Sequence, residues 1–404
     1  MGELKRTLNL PEVVFFATGV ILGAGIYTVI GKAAGSAGNM LWLSFSISAL
    51  TALLSLFSYA ELISMYPSSG GEFSFVKKII NTRWAYAVGC LVALSGIVSA
   101  ATISLGFSGY LSGLVEFPGH LTAIGIIVLI FIINVLGIKH SSLVNIVFTI
   151  LETCGLLFVI YSAAPSLGEV NYLESPPMGI NGILAGAAIC FFAFTGFEDA
   201  VKLAEETKNP EKNIPRGLFI SSAIISTIYL CVACVIVSMV PFKELANSEN
   251  PLSLVVEKRF GHTGAVIIAV VALFSTSNSL LSNMLGASRV IYSMGKTNQK
   301  LSLFAKVLPQ RKTPWIALIM AAAASCAFSL IGDVKQVALI TTFIAFLIFF
   351  VINCSLIYSR LKDKTIKRPF KIPGSIGNVP IIPVFAIAMI LVLICYTAYS
   401  LITG

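Results

Sequence analysis

The chain has 404 residues, of which 57% are hydrophobic and only 11% charged. Soluble domains carry about 25% charged residues, so this composition excludes an ordinary soluble domain. The net charge of +9 is spread over many short segments rather than gathered on one face, which excludes a nucleic-acid surface and any nucleic-acid partner.

Apolar runs of about 18 residues or more recur along the whole length, each enough to cross roughly 30 Å of hydrocarbon. In chain order they fall near 11–34, 40–66, 84–115, 121–138, 143–164, 180–201, 218–240, 263–292, 315–331, 337–358 and 381–402. Nothing between them is large enough for a soluble domain, so 1–404 reads as a single all-α polytopic membrane domain in contact with lipid. The first run continues past Gly25 without a small-residue cleavage site, which predicts an anchored span rather than a signal peptide. The opening MGELKR lacks the Ser or Thr that N-myristoylation needs at position 6.

Orientation follows from the basic residues. With the amino terminus in the cytoplasm and the spans alternating, the inner segments hold 22 of the 27 Lys and Arg. Lys5, Arg6, Lys139, Lys202, Arg311, Lys312 and Lys364 are among them. The outer segments keep Lys32, Lys243, Lys258, Arg259 and Lys335. The expectation is a multi-pass protein of the cell membrane, its amino terminus cytoplasmic and its carboxyl terminus outside.

Two spans look interrupted. The first reads ATGVILGAGIYTVIG, with Gly19, Gly23 and Gly25 at its middle, and the sixth reads AICFFAFTGFEDAV, with Thr195 and Gly196 at its middle. Gly19 and Gly23 also have the spacing of a close-packing surface. Interruptions at corresponding places in two five-span units favour unwound helices. The units are 11–164 and 180–358, and 381–402 is an additional span. An odd number of spans per unit makes the second unit enter from the opposite face, the layout of an inverted repeat.

Backbone unwound at bilayer depth must line an enclosed cavity. Helix ends there present amides to an anion and carbonyls to a cation. The amides of Ala24, Gly25 and Ile26 are expected to face an anion. The carbonyls of Ile21, Phe191, Phe192 and Phe194 are expected to face a cation. An α-amino acid carries that pair of charges on one carbon, and Gly23, Gly25 and Gly196 let it approach the backbone. Phe192 and Phe194 are either packing residues or a gate, with Phe192 the preferred gate.

GVILGAGIY, SYAELISMYPSSGGEFSFV, FFAFTGFEDAVKLAEETKNPEKNIPRG and ASRVIYSMGK resemble, in order and position, four signatures of the amino acid–polyamine–organocation (APC) permeases. The resemblance runs from about residue 10 to at least 370. It implies a LeuT-type fold, alternating-access transport, an amino acid held by main-chain atoms at Gly23–Gly25 and near Phe192–Gly196, and Phe192 at the aromatic gate. Family members usually have twelve spans. The eleven here depart outside the repeats, in a region that bears on oligomeric contacts rather than on binding.

Charged residues within spans are costly and are functional candidates by default. Glu61, at the inner end of the second span, suits capping of loose backbone. Glu198, just past the sixth-span interruption, suits a proton-linked gate, an inner-side hydrogen bond or an ion pair with a lysine such as Lys202. Glu152 stands mid-span in NIVFTILETCGLLF, where many members of the resembling family carry a lysine. A buried carboxyl can take up a proton, so Glu152 is the candidate coupling residue. The alternatives are a sodium site completed by Thr276, Ser277 or Ser279, and a neutral acid bonded permanently to a neighbouring hydroxyl.

No cofactor or metal is expected. The eight cysteines all fall in predicted spans and read as small packing residues. His120, His140 and His262 show no catalytic or metal spacing, so an enzyme is not expected. The reading is a secondary transporter for an α-amino acid with a neutral side chain, coupled to protons. An ion-independent exchanger and a non-transporting amino acid receptor are the alternatives.

Overall fold

Glycine and proline punctuate the apolar sequence where helices start, stop and bend. The computed structural model describes residues 8–68, 70–136, 142–308, 313–362 and 366–403. Lys5, Arg6, Lys139, His140, Arg311, Lys312 and Lys364 of the sequence analysis lie outside these residues.

Helix α1 (Leu10–Leu22) opens with half of a capping box, the Asn9 N–H donating to Glu12 Oε2 at 2.8 Å. It stops at Gly23, whose φ of −25° and ψ of −146° are non-helical, and α2 (Ala24–Ala37) resumes at once. There follow α3 (Leu41–Met65), the short α4 (Gly71–Ile79), α5 (Thr82–Ser112), α6 (Gly119–Leu136) and α7 (Ser142–Ala163). Asn81 starts α5, its side chain accepting the Trp84 N–H at 3.0 Å.

Helix α8 (Gly179–Phe191) tightens into a 3₁₀ turn over Phe192–Phe194, then runs through extended Thr195 and left-handed Gly196 into α9 (Phe197–Val201). Gly196 has φ 118°, a conformation open to glycine and strained for any other residue. The chain continues with α10 (Pro210–Met239), α11 (Phe242–Asn247), α12 (Pro251–Thr297), α13 (Trp315–Ser329) and α14 (Val334–Lys362). A two-residue hairpin of β1 (Ser375–Ile376) and β2 (Val379–Pro380) precedes α15 (Ile381–Thr403).

A helix stands at each of the eleven predicted span positions. Among the described residues eight apolar stretches are long enough to cross a membrane by length and composition, and the first, Leu10–Met65, takes in two predicted spans. Gly119–Val135 and Trp315–Ser329 are shorter apolar helices. The protein is a mostly helical polytopic membrane protein. Sequence reading passed over α4 and α11, which are too short and too polar to register as apolar runs. It also started the eighth span at 263, whereas α12 begins at Pro251 and bends at Gly261 (φ 63°).

Helix α5 packs along α12 and α14; α3 packs against α10 and α8; α1 packs against α10 and α7; and α6 meets α13. The carboxyl-terminal end of α3 is tied down by a buried ion cluster. Glu61, fully buried, accepts from Arg360 Nε at 2.9 Å, from Arg360 Nη2, from Arg368 Nη1 at 2.9 Å and from the Ile372 N–H at 2.9 Å. Glu61 therefore anchors the segment after α14, capping its loose backbone at the Ile372 N–H as well as pairing with its arginines.

Candidate functional site

The two helix interruptions meet. A Cβ on Gly25 would stand 2.6 Å from Ala193 Cα, and one on Gly196 would stand 3.0 Å from the Val20 carbonyl. Glycine at these places lets the two unwound backbones touch. Tyr229, fully buried on α10, ties them together. Its hydroxyl lies 2.8 Å from the Ile21 carbonyl, 3.4 Å from that of Leu22 and 3.2 Å from that of Ala193.

Beside this junction lies a small, partly open cavity. From the interrupted helices it takes Ile21, Ala24, Gly25, Phe192, Thr195, Gly196, Glu198 and Asp199; Ser95, Ser99 and Ile103 of α5, Ser279 and Asn283 of α12 and Thr341 of α14 face it. A second small cavity adjoins it, sharing Ser95, Glu198, Asp199 and Asn283, and reaches Glu72 on α4 and Lys202 beyond α9. The opposite side is sealed. There the Tyr110 hydroxyl donates to the Tyr27 carbonyl at 3.1 Å, and Lys32 Nζ donates to the Ala246 carbonyl of α11 at 2.8 Å.

Of the sequence-predicted site residues, Ile21, Ala24, Gly25, Phe192, Gly196, Glu198 and Ser279 line the cavity. Several of their polar groups already have side-chain partners, as buried polar groups generally do. The Ala24 N–H donates to Ser279 Oγ at 2.9 Å, Tyr229 occupies the Ile21 carbonyl, and Thr195 Oγ1 donates to the Phe192 carbonyl at 2.7 Å. The amides of Gly25 and Ile26 sit in the first turn of α2, where helix geometry supplies no carbonyl partner.

Gly23 lies against Ser279 Oγ, and Ile26 is buried in the core, so neither lines the cavity. Phe191 packs on Phe346 with ring centroids 4.3 Å apart, and Phe194 sits edge-on to Phe45 and Tyr229. Both aromatics face away from the cavity.

The carboxylates also sit differently from expectation. Glu198 Oε2 accepts the Gly196 N–H at 2.9 Å, while Lys202 pairs with Asp199 at 2.5 Å rather than with Glu198. Glu152 on α7 lies outside both cavities and is 1% exposed, and among the described residues neither carboxylate oxygen makes a close hydrogen bond. The Ser275 hydroxyl and the Asn278 amide, both on α12, are the polar groups that face it. Thr276 and Ser277 instead bond carbonyls of their own helix, at Ala272 and Leu273, and Ser279 caps the start of α2.

Tyr229, Ser95, Ser99, Asn283, Thr341, Asp199 and Glu72 escaped sequence reading. Ser95 and Ser99 offered the one readable signal, small polar residues at i and i+4 on an apolar helix.

The fold and site are those of membrane helices interrupted beside a shared polar cavity. The family model described as "Amino acid permease" matches residues 8–403, and the chain belongs to this amino acid permease family of the APC superfamily. The branched-chain amino acid permease BcaP of Bacillus subtilis is 31% identical over 97% of this chain and 88% of its own length. The methylthioribose transporter of the same organism is 29% identical over 95% of this chain and 87% of its own length. A vacuolar cationic amino acid transporter 4 of Arabidopsis thaliana is 31% identical over 85% of this chain and 62% of its own length. Amino acid transport is the activity these relatives share most widely.

Proposed function

We infer that the protein is a secondary active transporter that moves an α-amino acid across the cell membrane by alternating access, coupled to protons. The observation that carries the reading is the contact of the two interruptions, at Gly25 and Ala193, beside the cavity. The α-carboxylate would be held by the first-turn amides of α2. The α-ammonium would lie toward the carbonyl ends near Ile21 and Phe192 and toward Glu198, with Phe192 as the gate.

The helix contacts support a LeuT-type inverted repeat of units 11–164 and 180–358, with 381–402 as an additional span. Number the spans in order, α1 and α2 forming the first and α8 and α9 the sixth. Exchanging each span with the one five places on then turns one contact into another. The contact of α1 with α10 becomes that of α3 with α8, α5 with α14 becomes α7 with α12, and α1 with α7 becomes α8 with α14. With the amino terminus cytoplasmic and the carboxyl terminus outside, the sealed side is external and the Glu72–Lys202 side faces the cytoplasm.

Glu152 supports proton rather than sodium coupling. It is enclosed within its span, 1% exposed, with the neutral side chains of Ser275 and Asn278 as its polar neighbours and no cationic side chain paired with it among the described residues. The test is uptake into proteoliposomes under a pH gradient. Wild-type protein is expected to accumulate a neutral amino acid when the gradient is imposed. Glu152→Gln is expected to retain counterflow and lose accumulation. Accumulation unchanged in the Gln variant would refute the proton role. Uptake only into vesicles preloaded with amino acid would make the protein an exchanger.

A further inference from the structure

Four charged side chains line the two adjoining cavities: Glu72, Glu198, Asp199 and Lys202. They are unequal in what they leave for a solute. Glu72 is 2% exposed and receives the Tyr59 hydroxyl at 3.2 Å. Burial raises its carboxyl above the ordinary range, against a partial offset from Lys202. Asp199 is paired with Lys202 at 2.5 Å, the two side chains being 28% and 23% exposed. Burial pulls the Lys202 ammonium down, but attraction to Asp199 and then Glu72 outweighs it, and the net shift is upward. The ammonium therefore stays charged. Its stem is held between α9 and α4, since a Cβ on Gly71 would stand 3.4 Å from both Lys202 Cγ and Cε.

Glu198 remains. It lines both cavities and makes no ion pair among the described residues, and its carboxylate accepts the Gly196 N–H at 2.9 Å. One uncommitted carboxylate matches one ammonium. An amino acid with an uncharged side chain brings one ammonium for Glu198 and the carbonyl ends, and one carboxylate for the α2 amides. A lysine- or arginine-like solute brings a second cation, whose natural partner, Asp199, already holds Lys202.

We propose that Lys202 is a specificity-determining residue: its ammonium fills the place of a cationic substrate side chain and confines the pocket to amino acids with uncharged side chains. The inference rests on the amino acid pocket proposed above. The physical basis is repulsion between like charges in a partly desolvated cavity, where it is stronger than in water. A device that rejects the wrong solute in this way is a common source of specificity.

The test is calorimetric binding to the purified full-length protein. The probes are alanine, serine and leucine on one side and lysine, arginine and ornithine on the other. The wild type is expected to bind the neutral group, and the cationic group about tenfold more weakly or worse. Lys202→Met frees Asp199 and is expected to improve cationic binding relative to neutral by on the order of tenfold. Adding Asp199→Asn to that variant is expected to cancel the gain. Lys202→Arg is expected to keep the wild-type preference.

A wild type that binds cationic amino acids as tightly as neutral ones overturns the proposal, and so does an unchanged preference in the Met variant. A gain that survives Asp199→Asn overturns it too. If the Met variant does not fold, the wild-type comparison decides alone. A wild type that binds neither group overturns the pocket itself, an outcome distinct from the rest.

Discussion

Replacing Tyr229 by Phe isolates the bond that joins the two interruptions. The ring would keep its edge contacts with Phe45 and Phe194, at centroid distances of 5.8 and 5.2 Å. Only the hydroxyl is lost, with its approaches of 2.8 Å to the Ile21 carbonyl and 3.2 Å to the Ala193 carbonyl. A hydroxyl has one proton, so it makes one full hydrogen bond at a time. Leaving a buried acceptor unsatisfied costs about 1–3 kcal/mol, and at about 1.4 kcal/mol per decade a cost in the middle of that range weakens binding by roughly tenfold. The loss falls on ligand affinity because the carbonyls belong to the cavity wall, and a relaxed junction no longer aims the α2 amides into the cavity. Calorimetry with a bound amino acid, on material that still elutes as a monodisperse peak, gives the number. Affinity equal to or tighter than wild type would show that the junction does not depend on this hydroxyl.

Two further substitutions probe separate parts of the structure. Gly25→Val is expected to abolish binding, because even a Cβ would approach Ala193 Cα to 2.6 Å; saturable amino acid binding by this variant counts against the junction. Glu61→Gln leaves Arg360 and Arg368, whose side chains are 4% and 9% exposed, without their carboxylate. Removing one partner of a buried ion cluster typically costs about 3–5 kcal/mol, so thermal unfolding in detergent is expected at clearly lower temperature, and an unchanged transition contradicts the anchoring role.

The helix positions were legible because a membrane span is written in composition: about 20 apolar residues in a row have few alternatives. The interruptions were legible for a related reason, since glycine is the residue that tolerates φ 118° at Gly196 and the backbone contact at Gly25. Bond partners were not. The Ile21 and Phe192 carbonyls read as ligand groups, yet Tyr229 and Thr195 reach them first, from α10 and from within the turn. Lys202 read as a partner for Glu198, yet the helical turn sets it beside Asp199 three residues earlier. Phe191 and Phe194 belong to the same aromatic run as Phe192, and only the path of the 3₁₀ turn distinguishes the ring that lines the cavity.

Local sequence by itself determined a helical membrane protein, the places where its first and sixth spans break, and the resemblance that names its family. Its information is short-range: hydropathy over 20 residues, and glycine where backbone must bend or approach. Tertiary structure alone decided which side chains face the cavity. Ser95, Asn283 and Thr341 stand on three helices far apart in the chain, and nothing in their own neighbourhoods says that packing brings them together. The same holds for the isolation of Glu152, whose environment is set by α12 and α2, more than a hundred residues away on either side.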